Sequence, residues 1–158
     1  MNRLWVIAAA CLGFMAVALG AYGAHGLERW LTGRGLEGPG LAKAMHDYEV
    51  AVRYQMHHAL AMLSLACASL AMTQAPRSPA ELLQATGKPR VGPGFALHAA
   101  CGAWMIGVLV FSGTLYTIVF TGDRWWGRIT PIGGLLLLVG WACAAAWAIA
   151  SPRSSAPR

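Results

Sequence analysis

Four stretches of the chain carry no Lys, Arg, Asp or Glu: residues 4–27, 54–76, 91–122 and 129–152. Each exceeds the roughly 20 apolar residues that cross a bilayer as a helix. The pattern predicts spans at about Leu4–Ala24, Tyr54–Thr73, Phe95–Phe120 and Thr130–Ala150. Between the first two, Leu41, Met45, Tyr48 and Val52 recur at helical spacing, while Lys43, Asp47, Glu49 and Arg53 stay polar. That segment is an in-plane amphipathic helix or an extension of the second span. The expected fold is all-α: an integral membrane, up-and-down four-helix bundle with a short amphipathic helix before helix 2. It forms one domain over residues 1–150, with a disordered tail over 151–158.

The punctuation refines these elements. Gly23 and Gly26 are expected to end the first helix near His25. Residues 27–40 then form a Gly-rich connection. Ser78-Pro-Ala-Glu81 reads as a capping box with Pro at the first helical position, within a Pro- and Gly-rich connection over 74–94. Ser112-Gly113 is the expected bend of the long third helix. Trp125 and Trp126 suit the headgroup region. Thr130 is the expected N-cap of the last helix, with Pro131 following. Small residues at four-residue spacing, such as Gly13 after Ala9 and Gly20 after Ala16, let helices approach closely in lipid. Gly113, Gly133, Gly134, Gly140 and Ala144 offer further close-packing positions.

Composition agrees with the pattern. Hydrophobic residues make up 57% of the chain and charged residues 11%, against about 25% charged in a soluble domain. The net charge of +6 is scattered through short flanking segments, with no basic stripe. Its expected partner is the lipid bilayer rather than nucleic acid. The N-terminal run imitates a secretory signal, with Arg3 before it and Ala21 and Ala24 after. It is longer than the usual core of roughly 7–15 residues, so it reads as a retained helix. Cys11, Cys67, Cys101 and Cys143 lie one per apolar run, unlike a disulfide scaffold. A tetrathiolate metal site would put uncompensated charge in lipid, so none is expected.

Orientation rests on a tied count. Arg3, Arg77, Lys88, Arg90, Arg153 and Arg158 fall on the terminal side, and Arg29, Arg34, Lys43, Arg53, Arg124 and Arg128 on the other. Five acidic residues offset the second set, which favours cytoplasmic termini.

Folded up and down, the helices bring His25, Tyr54, Gln55, His58, Ser112, Tyr116 and Thr130 to one membrane face. His98 stands alone at the other. Such polar side chains turn inward and pair. They form either a small polar pocket or hydrogen-bonded glue between helices, and glue is the commoner outcome. Paired histidines also raise haem ligation, but no local signature accompanies them, and no cofactor is expected. No Gly-rich phosphate loop, zinc-protease motif or intramembrane carboxylate appears, so an enzyme is disfavoured.

Four segments together resemble one family. They are Gly20-Ala-Tyr-Gly-Ala-His-Gly-Leu27, Tyr54-Gln-Met-His-His-Ala-Leu60, Phe111-Ser-Gly-Thr-Leu-Tyr116 and Thr130-Pro-Ile-Gly-Gly-Leu135. They resemble the YgdD-like family of small bacterial inner-membrane proteins, a domain of unknown function with a short eukaryotic transmembrane relative. The resemblance touches all four spans in order and implies a four-helix protein of the inner (plasma) membrane. It supplies no activity. It matches His25 and His58 to the family's histidines, and His57 to a position where an aromatic is usual. Ser112, Gly113 and Tyr116 match the third segment, and Thr130, Pro131 and Gly133 the fourth. The loops 33–44 and 74–94 look longer than the family's. The expected role is a structural or interaction protein, alone as a homo-oligomer or with another membrane protein. The alternative is a small-molecule or ion binder, or conduit, at a His25/His58 pocket.

Overall fold

The structure, a computed structural model, describes residues 2–74 and 93–151. It is helical almost throughout, with no strand among those residues. Helix α1 (Asn2–Tyr22) continues through a π-helical turn (Gly23–Leu27) into α2 (Glu28–Gly33). Helix α3 covers Gly38–Gln74 and α4 covers Pro93–Thr121. A 3₁₀ turn (Arg124–Arg128) leads into α5 (Thr130–Ala150). The Ser78 capping box, most of the 74–94 connection and the tail beyond Ser151 lie outside the described residues.

Several expected boundaries move. Gly23 and Gly26 do not end the first helix. A Cβ at Gly23 would lie 2.8 Å from the Tyr48 ring, so this glycine makes room for a neighbour instead of stopping the chain. The chain passes through the π turn without leaving the helix. The true stop is Gly35, at φ +82°. Around it Leu36 N–H donates to the Leu31 carbonyl at 3.1 Å and Gly35 N–H to the Thr32 carbonyl at 2.9 Å, a Schellman ending.

The amphipathic segment is not a separate helix before the second span. It is the first part of α3, a single helix of 37 residues. Much of the supposed loop 33–44 therefore belongs to α3. Tyr48 is 1% exposed, and Leu41, Met45 and Val52 pack around it with Leu27, Leu31 and Val119. Lys43 and Asp47 pair at 2.9 Å.

Thr130 is not an N-cap. It stands inside α5, and its hydroxyl lies 2.8 Å from that of Thr114. The expected linker 121–129 holds the 3₁₀ turn, capped by Asp123, whose carboxylate accepts from Trp125 N–H at 2.9 Å.

Contacts run in opposite senses along successive long helices. Leu12 meets Gln55 while Leu19 meets Tyr48. Ala51 meets Ser112 while His58 meets Trp104. Gly133 meets Phe111 while Gly140 meets Trp104. Each long helix is thus antiparallel to the next. Helices α3 and α4 pack between α1 and α5, leaving outer faces exposed at Phe14, Val17, Leu135 and Leu138. The main core joins Ala9, Met62, Leu97, Cys101, Trp104 and Leu137.

Among the described residues, three stretches are long and apolar enough to cross a membrane: Arg3–Gly33, Gly94–Thr121 and Arg124–Ala150. Helix α3 is not among them. Its Gln55, His57 and His58 lower the hydropathy of the expected second span.

Candidate functional site

The buried face of α3 reads Tyr48, Ala51, Gln55, His58, Met62 and Ala66, at steps of three and four residues. Its polar members are engaged by the neighbouring helices. Tyr48 Oη donates to the Leu19 carbonyl at 2.8 Å. Gln55 Nε2 donates to the Leu12 carbonyl at 2.9 Å, and Gln55 Oε1 accepts from Tyr116 Oη at 3.1 Å. A carbonyl can only accept, so the amide has one orientation that satisfies both neighbours. Gln55 therefore ties α1 to α4 through α3. Ser112, 1% exposed, donates to the Ala51 carbonyl at 2.8 Å.

His58 is 6% exposed and uses both ring nitrogens. Nδ1 lies 2.8 Å from the Tyr54 carbonyl, and Nε2 receives the Trp141 indole N–H at 3.2 Å. An indole N–H only donates and a carbonyl only accepts. The two bonds together assign the proton to Nδ1 and make the ring neutral. Trp104 closes the group, 5.0 Å from the Trp141 ring and 6.3 Å from His58. The Tyr54 ring stacks on His58 at 6.0 Å and approaches Phe111 at 4.6 Å.

The expected site is thus divided. Gln55 and Tyr116 share a bond, and Tyr54 and His58 share a stack. Ser112 is bound to the α3 backbone, and Thr130 to Thr114. His25 lies on the exposed side of the π turn and shares no hydrogen bond or ring contact with His58. The structure does not bring those two histidines together. His98, expected to stand alone, accepts the Trp5 indole N–H at Nδ1 over 2.7 Å. Among the described residues, no three His, Cys, Asp or Glu side chains converge as metal ligands. Cys11 and Cys67 are exposed, whereas Cys101 is buried.

Sequence reasoning missed Tyr48, Thr114 and the tryptophan partners. Trp141 lies 83 residues from His58, and no local spacing links them. One signal was available. A buried tryptophan N–H usually takes an acceptor, and histidine is among the few such side chains these spans contain, although Trp104 Nε1 is buried without one among the described residues.

A separate cleft of about 540 Å³ opens where α2, the start of α3 and the end of α4 meet. Arg34, Lys43, Asp47 and Arg124 line it, with Ile118 and Val119 among its apolar residues. Of the expected site residues, it includes Thr130 alone.

An all-helical chain with long apolar stretches, interhelical polar bonds and apolar outer faces has the make-up of a small helical membrane protein. The comparisons agree. The sequence profile of the "Protein of unknown function (DUF423)" family matches residues 19–134. A UPF0382 membrane protein of Haemophilus influenzae is 33% identical over 141 residues, covering 89% of this chain and 90% of that protein. The UPF0382 membrane protein SH2409 of Staphylococcus haemolyticus is 34% identical over 141 residues, covering 88% and 89%. The UPF0382 inner membrane protein YgdD of Escherichia coli K12 is 32% identical over 141 residues, covering 89% and 86%. No solved structure matches. The chain belongs to the DUF423 family, whose description assigns no activity.

Proposed function

We propose that this chain is a multi-pass inner-membrane protein acting as a structural or interaction module, not as a catalyst. Residues 1–150 form its single domain, crossing the membrane four times with both termini in the cytoplasm. The observation that carries this reading is the use of the deep polar groups. Tyr48, Gln55, Ser112 and Tyr116 spend their hydrogen bonds on neighbouring helices, and His58 divides its two between its own helix and α5. A conduit through His25 and His58 would need a free imidazole, and His58 has both nitrogens bound. Assembly would use the outer faces, where Phe14 is 74% exposed and Leu138 66%. The partner is a second copy or another membrane protein.

Photo-reactive residues at Phe14 and Leu138 test this in native membranes. A discrete protein adduct from either face is the expected result. Adducts with lipid alone from both faces would remove the interaction role.

A further inference from the structure

The cleft between α2, α3 and α4 lies apart from the Gln55 and His58 contacts described above. Two glycine-dependent turns build its rim. Gly35, at φ +82°, ends α2 and places Arg34 and Leu36 on one side. Gly122, at φ +78°, ends α4 and returns Arg124 on the other. Its floor comes from the end of α4 and is apolar: Leu115, Ile118, Val119 and Phe120. Cations outnumber acids in the lining, with Arg34, Lys43 and Arg124 against Asp47. Lys43 is shared with Asp47 at 2.9 Å, so the two arginines carry the excess charge. Among the described residues neither arginine has a carboxylate partner, although Arg34 lies 4.8 Å over the Trp30 ring. The exposed pair Trp125 and Trp126 follows directly on Arg124, and such aromatics gather at headgroup level. A volume of about 540 Å³ is within the usual range for a small-ligand site.

We propose that this cleft binds an anionic phospholipid, its phosphate held between Arg34, Lys43 and Arg124 and an acyl chain laid along Leu115, Ile118 and Val119. A free phosphate would meet the cations but leave the apolar floor unused. A zwitterionic lipid would bring its own cation against the two arginines. The site selects for negative charge at the rim and for hydrocarbon below it. This inference rests on the membrane-spanning reading, which sets the cleft at the bilayer surface.

The test is a native mass-spectrometry titration of the full chain in mild detergent. The probes are phosphatidylglycerol, phosphatidylcholine and inorganic phosphate. One phosphatidylglycerol per chain is expected, bound in preference to phosphatidylcholine and not displaced by inorganic phosphate. Loss of one arginine should weaken phosphatidylglycerol binding about fivefold, and R34Q/R124Q together about 25-fold. Gly40→Phe gives a second test without a charge change. A Cβ at Gly40 would meet nothing within 4 Å, and the added ring should narrow the cleft and weaken the lipid alone. Unchanged lipid preference in both variants overturns the proposal. Displacement by inorganic phosphate also overturns it, in favour of a free-anion site. Extraction of membranes with alkaline carbonate separates the two readings. A chain that stays in the pellet without a lipid preference refutes this site alone. A chain released into the supernatant refutes the membrane-spanning reading as well.

Discussion

Gln55 sets the energetic scale of the polar seam. Its amide answers a carbonyl on α1 and a hydroxyl on α4 at the same time. Gln55→Leu keeps the bulk and removes both bonds, leaving the Tyr116 hydroxyl in an apolar setting. The expected loss is about 1–3 kcal/mol, set by the stranded partner more than by the bond itself. Tyr116→Phe in the Gln55→Leu background should then recover part of that loss, because the stranded hydroxyl is removed with it. The coupling energy from reversible unfolding in mixed micelles should fall near the average of about 0.6 kcal/mol for interhelical bonds in membranes. A coupling near zero would mean the two side chains do not meet. His58 belongs to the same logic. With Nδ1 and Nε2 both committed, its value lies in joining α3 to the α5 tryptophan, and any chemistry at that ring would first have to break a bond.

Helix packing divides the glycines into those that fit a neighbour and those that do not. At Gly133 a Cβ would collide with the Phe111 backbone, and at Gly140 with the Trp104 ring. At Gly107 it would lie 2.6 Å from Leu137. At Gly13 and Gly113 it would meet nothing within 4 Å, and at Gly20 only Val52 at 3.5 Å. Gly133→Ala should therefore force α4 and α5 apart at a cost of about 1–3 kcal/mol. Gly13→Ala should be neutral or slightly stabilising, since alanine favours helix. Thermal unfolding of the two variants checks the contrast, and equal effects would contradict this helix interface. Spacing alone gave Gly13, Gly113 and Gly133 equal standing, because a four-residue repeat marks a face without saying what lies against it. The apolar runs were legible for the opposite reason: a membrane-length helix needs only length and missing charge. Helix ends were less legible. Gly23 looked like a stop because glycine serves both stops and close approaches, and only the Tyr48 ring distinguishes the two.

The arrangement of the whole chain turns on α3. Among the described residues, three stretches qualify as spans by hydropathy, and α3 does not. Three crossings would place the two ends of the chain on opposite sides, whereas four would place them together. Packing argues for four. Helix α3 has 37 residues, about 55 Å of helix, enough to cross a core of about 30 Å and project beyond it. Its later part shares one core with the first part of α1 and of α4, through Ala9, Met62, Leu97 and Cys101. On the proposed four-span reading, α3 packs antiparallel between two spans and crosses with them. Gln55 and His58, near the middle of α3, have hydrogen-bond partners on α1, α4 and α5. Hydropathy would miss such a span, since it scores each residue as though it faced lipid. Cysteines introduced at Arg3, Leu36 and Ser151 test the arrangement in intact cells with a membrane-impermeant maleimide, in a background lacking the native four. Leu36→Cys should react from outside, and Arg3→Cys and Ser151→Cys only after the membrane is permeabilised. If Arg3→Cys and Ser151→Cys report opposite sides, α3 does not cross and the four-span reading fails. If they agree while Leu36→Cys is the protected position, the four spans stand and the orientation is reversed.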